Sequence, residues 1–182
     1  MKKLILTLAL VTFVTCFSQK KITITNLTSA AMKIYGIRTK PTTGTYPYCY
    51  GYSFGLYSGQ SYSLVNNLST SKFPFYSSPT SLPPIISNLN WKRTNSATSS
   101  LNNQTGLSLW NSTIATTQNF SFIDFSIGII NGLPGSFGTF AIPTVNSTTI
   151  QNTAAGWEML YDYYPPTAVN PIAEYVITFV DL

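Results

Sequence analysis

The chain has 182 residues, of which only 8% are charged, against roughly a quarter in ordinary soluble domains, so Ser, Thr, Asn, Gln and Tyr carry its polarity. It contains no histidine, which removes Ser-His-Asp and Cys-His catalysis and every His-ligated zinc or copper site. Without Lys2 and Lys3, eight Lys and Arg stand against five acids, a net charge near +3 too scattered along the chain to argue for nucleic acid.

The first eighteen residues have the grammar of a cleavable export signal: Lys2 and Lys3, an uncharged apolar run over residues 4–14, then Cys16-Phe17-Ser18 before a cut. An apolar run of about eleven residues is too short for a bilayer-spanning helix, which takes roughly 20, so no transmembrane anchor is expected. The two lysines and the short apolar core suit a bacterial signal, with the product secreted or periplasmic. Lipid modification at Cys16 is the weaker alternative, because Thr15 stands where such sites want a small residue.

Cleavage after Ser18 leaves residues 19–182, enough for one domain with a single core. Cys49 is then the one cysteine of the mature chain, so no internal disulfide is expected. With no histidine to activate it, Cys49 reads as a small buried residue.

Period-two alternation recurs along the rest of the chain, and helical periodicity is hard to find. Residues 21–27 (KITITNL) and 32–38 (MKIYGIR) read as a hairpin or two neighbouring strands. Residues 46–54 (YPYCYGYSF) alternate without a slip, with Pro47 pointing to an edge strand, and residues 60–66 follow after Gly59. Between residues 69 and 118 the chain is rich in Ser, Thr, Asn and Pro, and reads as loops around two modest strands, 89–94 and 107–110. Pro79, Pro83 and Pro84 rule out a long regular element there.

Residues 120–130 (FSFIDFSIGII) and 136–142 flank Asn131-Gly132, a hairpin signal, and a change of phase between Phe122 and Phe125 predicts a bulge near Asp124. Residues 156–164 and 174–182 give two more strands around Pro165-Pro166. The expected fold is all-β: a single-domain antiparallel β-sandwich of about nine or ten strands, jelly-roll or immunoglobulin-like.

Few residues are left to carry chemistry. The acids of the mature chain are Asp124, Glu158, Asp162, Glu174 and Asp181. Glu158 and Asp162 would share a strand face about 13 Å apart, outside the ~5 to 9.5 Å of paired glycosidase carboxyls, so a catalytic pair would have to come from different strands. No Asp-x-Asp or Asp-x-Asn cluster points to calcium, and no metal or cofactor is expected. Ser69-Thr70-Ser71-Lys72 matches the S-x-x-K spacing of penicillin-reactive serine enzymes, but Phe73-Pro74 follows at once where a helix is required. Gly132, Gly135 and Gly138 join two strands and open no helix, so they are no phosphate loop.

The aromatic stripe remains. In an extended segment Tyr46, Tyr48, Tyr50, Tyr52 and Phe54 would set five rings on one side, where they would either pack as core or stack on sugar faces while tyrosine hydroxyls bond sugar hydroxyls. Trp157, with Tyr161 and Tyr163, forms a similar stripe. The expected function is that of an exported, non-enzymatic binding or adhesion protein. Its candidate site is Tyr46, Tyr48, Tyr50, Tyr52, Phe54 and Trp157, and its favoured partner is neutral glycan or cell-surface material. The alternatives are a carbohydrate-active hydrolase using two of the acids, and a membrane-active, pore-forming β protein using the polar stretch 94–119.

Overall fold

The computed structural model describes residues 19–41, 43–65, 72, 74–76, 90–128, 136–142, 146–170 and 172–182. The expected export signal over residues 1–18 with Cys16, the serine of the S-x-x-K match, the prolines 79, 83 and 84, and the expected hairpin turn at Asn131-Gly132 lie outside the described residues.

The protein is all-β. Its strands are β1 (Gln19–Asn26), β2 (Met32–Pro41), β3 (Tyr48–Gly51), β4 (Phe54–Leu56), β5 (Ser61–Val65), β6 (Asn90–Thr94), β7 (Asn102–Thr105), β8 (Gln118–Ile127), β9 (Ser136–Ala141), β10 (Ser147–Asn152), β11 (Trp157–Tyr164) and β12 (Ile172–Asp181). Among the described residues one short helix, α1 (Gly106–Trp110), interrupts them. A first sheet of five strands has the order β10-β11-β12-β1-β5. A second of seven has the order β7-β6-β3-β2-β8-β9, with β4 paired to β2. Pairing is antiparallel except between β1 and β12, which run parallel through eight paired positions from Gln19–Ile172 to Asn26–Phe179.

The two sheets face each other through aromatic rings. Phe125 of β8 lies 4.6 Å from Phe179 and 5.3 Å from Trp157, Phe120 lies 5.1 Å from Tyr175, and Phe140 lies 5.4 Å from Tyr161. Alternation decides which side chains enter this core: Ile22 and Ile24 of β1 and Ile177 and Phe179 of β12 are fully buried, while Thr23 and Thr25 point outward to Ser63 and Ser61 at 2.9 and 2.8 Å. Each fully buried aliphatic or aromatic side chain contributes about 1.5 to 3 kcal/mol.

The described residues form twelve strands where nine or ten were expected, for identifiable reasons. Residues 46–54 divide into β3 and β4, β7 and β10 were not anticipated, and residues 107–110 form α1 instead of a strand. Thr105 caps that helix, its Oγ1 accepting from the Ser108 amide at 3.1 Å, while Leu109 is buried and Leu107 exposed. The apolar spacing of Leu107, Leu109 and Trp110 suits one helical turn as well as it suits a strand.

β1 and β2 are not a hairpin: they belong to different sheets. Asn26 holds the crossing between them. Its Nδ2 donates to the carbonyls of Ala30 (2.9 Å) and Leu56 (3.2 Å), and its Oδ1 accepts from the Thr28 amide and hydroxyl at 3.1 and 2.6 Å. β3 is interior, between β6 and β2, rather than an edge strand, and Pro47 stands just before it, where no ladder amide is needed.

Half-buried Phe122 and buried Phe125 lie on opposite faces of β8 by regular alternation, so β8 itself has no bulge between them; the β2–β8 register slips at two places, one of them on β2. Ile34 pairs with Phe125 and Gly36 with Asp124, so the extra residue opposite Asp124 is Tyr35 on β2. Arg38 pairs with Phe122 and Thr39 with Phe120, leaving Ser121 as the extra residue on β8. β8 and β9 pair antiparallel from Phe122–Ala141 to Ile127–Ser136, and β11 and β12 from Trp157–Asp181 to Tyr164–Glu174.

Candidate ligand face

Two of the five rings predicted to share one side do not do so. Tyr52 has a φ of 62°, in the left-handed region that bulky side chains rarely occupy. That residue reverses the alternation: Tyr52 turns inward beside Trp91 (ring centroids 4.6 Å apart), and its hydroxyl donates to the Pro74 carbonyl at 2.6 Å. Phe54 follows it into the core. Both are about 5% exposed or less, and Trp157 is equally buried against Phe125. Tyr52, Phe54 and Trp157 are therefore core residues and present no surface to a ligand.

Tyr48 and Tyr50 remain on the outer face of the second sheet, both half-buried, because Cys49 between them points inward. Tyr46, just ahead of β3, places its ring 5.7 Å from that of Tyr48. A glycine makes the seat for Tyr50: a Cβ on Gly36 would stand 2.2 Å from the Tyr50 ring, so the hydroxyl end of the ring occupies the space over the backbone of β2 that a larger residue would fill.

Arg38 of β2, opposite Tyr50, organises the face. Its guanidinium carbon lies 5.8 Å from the Tyr48 ring centroid, 5.7 Å from that of Tyr50 and 5.2 Å from that of Phe122 on β8, within cation–π range of all three. Arg38 also pairs with Asp124 at 3.6 Å. Partial burial, reinforced by the Asp124 charge, holds the Tyr50 phenol above its ordinary range, although Arg38 works the other way. Tyr50 is thus a neutral donor and acceptor at physiological pH. Arg38, Phe122 and Asp124 were not among the residues predicted for the site, because only register sets Arg38 of β2 opposite Tyr50 and brings in Phe122 and Asp124 from β8, which is distant in sequence.

A buried polar network fixes the end of this face. The Lys20 ammonium, only 4% exposed, donates to the Gln118 backbone carbonyl, the Thr39 hydroxyl donates to Gln118 Oε1 at 2.9 Å, and Gln118 Nε2 donates to the Pro47 carbonyl at 3.2 Å. It ties β1, β2 and β8 to the residue that launches β3. Burial lowers the Lys20 pKa from 10.5 to about 8.

The remaining candidate chemistry is dispersed. Cys49 is buried, and desolvation pushes its thiol up to about 12, so it is no nucleophile at neutral pH. Glu158, Asp162 and Glu174 lie on the outer face of the first sheet, on the far side of the molecule from the rings. Asp162 and Glu174 are diagonal neighbours across β11 and β12, but Glu174 is held by Lys21 at 2.8 Å and receives the Thr23 hydroxyl at 3.4 Å. Asp181 accepts from the Ser29 amide at 2.7 Å. The ring face carries Asp124 alone among the described residues, one carboxylate where paired glycosidase chemistry needs two.

No group of three or more His, Cys, Asp or Glu that could hold a metal occurs among the described residues. No helix among them is long and apolar enough to cross a membrane. Within residues 94–119, proposed above as a membrane-active segment, Leu109 and Ala115 are anchored in the core. Compared with protein-family models, with curated proteins and with solved structures, the chain shows no match.

Proposed function

We propose that this chain is an exported, non-enzymatic binding or adhesion protein that holds glycans on the outer face of its second sheet, through Tyr46, Tyr48 and Tyr50 with Arg38, Phe122 and Asp124. The observation that carries the proposal is the placement of Tyr48 and Tyr50. Their rings lie on an exterior sheet face, not between the sheets, with an arginine over them and a carboxylate beside them. Such a face offers apolar ring surface to the C–H side of a sugar, and donors and acceptors to its hydroxyls.

The two-layer arrangement supports a β-sandwich, and the parallel β1–β12 seam is foreign to a purely antiparallel jelly roll. Export rests on the sequence of the first eighteen residues. Mass analysis of the protein recovered from its producing cell should find a chain starting at Gln19, and a lipid-modified start at Cys16 would refute that cleavage.

The binding proposal is tested by a glycan array with the wild type and the Tyr48→Ala/Tyr50→Ala double variant. Retention should disappear in the variant while its far-UV spectrum stays unchanged. Binding that survives the double substitution would remove the site.

A further inference from the structure

Charge is unequally divided between the two exterior faces. On the outer face of the second sheet stand Lys33, Arg38, Lys40 and Lys92, against the single carboxylate of Asp124, which Arg38 already pairs. On the outer face of the first sheet the balance is reversed, with Glu158, Asp162 and Glu174 against Lys21. Each arrangement follows from alternation: Lys33, Lys40 and Lys92 are exposed, and their strand neighbours Ile34, Thr39 and Trp91 are buried.

Register brings three of these cations to the rings. Arg38 and Lys92 are the two cross-strand neighbours of Tyr50, one on β2 and the other on β6. Lys40 is the next outward position on β2, alongside Tyr48. Lys33 lies at the other end of β2, lining a groove together with Gly55 and the exposed Tyr57. From Lys33 to Lys40 the strand covers roughly 20 Å at ~3.3 Å per residue, which is the footprint of several sugar units and not of one.

We infer that the ligand of this face is an acidic polysaccharide, lying along β2 with its sugar rings on Tyr48 and Tyr50 and its carboxylate or sulfate groups met by Lys33, Lys40 and Lys92. This inference rests on the glycan reading above and changes its ligand class, since the rings alone favour neutral sugars. Aromatic stacking supplies recognition of the sugar. The lysines supply attraction to a repeating negative charge, and a single ion-paired aspartate offers little to repel it. Because the lysines are exposed, their share of the binding is screened by salt.

The test uses the purified protein and matched polymers: polygalacturonate against its fully methyl-esterified form, with hyaluronate and chondroitin sulfate as further acidic chains, dextran and mannan as neutral ones, and polyglutamate as an acidic chain without sugar. The expected result is at least tenfold tighter binding of one or more acidic polysaccharides than of any neutral one, weakening as salt is raised from 50 to 300 mM. Lys40→Gln/Lys92→Gln should reduce that binding at least tenfold and leave the thermal midpoint in place, and Tyr48→Ala/Tyr50→Ala should abolish it. Equal binding of neutral and acidic glycans, lost in the tyrosine variant alone, would overturn the acidic ligand and leave the glycan reading standing. Polyglutamate bound as tightly as the best polysaccharide, or no polysaccharide bound at all, would overturn both.

Discussion

Replacing Lys20 with methionine isolates the cost of a buried charge, and the pH dependence of that cost follows from the structure. Below pH 8 the ammonium is protonated in folded and unfolded chains alike, and the folded state bears the full desolvation penalty. Between about 8 and 10.5 the folded lysine is neutral while the unfolded one keeps its proton. The unfolded state then binds more protons, and stability rises with pH. A displacement from 10.5 to about 8, at 1.36 kcal/mol per pH unit, amounts to about 3 kcal/mol, of which about 2 kcal/mol is recovered by pH 9.5. Cys49 and the buried tyrosines act in the opposite direction. Their folded pKa values are raised, so the unfolded state releases protons first and stability falls above pH 9 for the thiol and above 10 for the phenols. Both proteins share those groups, so the difference between wild type and Lys20→Met cancels them. Urea unfolding followed by tryptophan fluorescence at pH 6.5, 7.5, 8.5 and 9.5 should show the wild type gaining about 2 kcal/mol on the variant across that range. The offset at pH 6.5 mixes relieved desolvation with the lost bond to Gln118, so the slope is the readout. A difference constant to within about 0.5 kcal/mol across those pH values would refute the reasoning.

Other consequences are more local. Gly51→Ala and Gly138→Ala each put a Cβ within 2.6 and 2.3 Å of buried Trp91 and Phe125 rings, and should cost about 1 to 3 kcal/mol in denaturant unfolding. Gly36→Ala meets only the tip of half-buried Tyr50, which can swing away, so it should cost less than either while reducing glycan retention. Trp157→Ala should destabilise by about 3 to 5 kcal/mol, as expected of a core residue; a cost under about 1 kcal/mol would contradict its burial. The Cys49 thiol should resist an aromatic disulfide reagent at pH 8 in the native protein and react promptly in urea; rapid native labelling would contradict its desolvation.

The legible part of the fold was the part with a one-sided apolar pattern. β11 and β12 alternate along most of their length, so both strands follow from the apolar pattern, while their antiparallel pairing is the structure's own addition. β7 (Asn102–Thr105) and β10 (Ser147–Asn152) are edge strands with few or no buried side chains, so they carry no apolar stripe to detect. The neighbours of β1 were out of reach for another reason: its partner β12 lies some 150 residues away, and no local signal encodes such a pairing. At the candidate face the period-two rule served through Tyr50 and failed at Tyr52, where one left-handed residue inverts the sides. Cations scattered along the chain gave no hint of a common surface, since only register places Arg38 and Lys92 on either flank of Tyr50.

The parallel seam between β1 and β12 has a mechanical consequence. Tension entering at the Gln19 end of β1 and leaving at the Asp181 end of β12 pulls the two strands past each other lengthwise, so the eight paired positions share the load at once instead of parting one by one like a zipper. Both strands are interior to their sheet, clamped by β5 and β11 on their other sides, which adds further rungs that must slip together. A protein pulled between a surface at one end and a partner at the other would hold its shape under forces that would peel open a terminal hairpin, with the rate of forced unfolding, not the equilibrium stability, setting how long it holds.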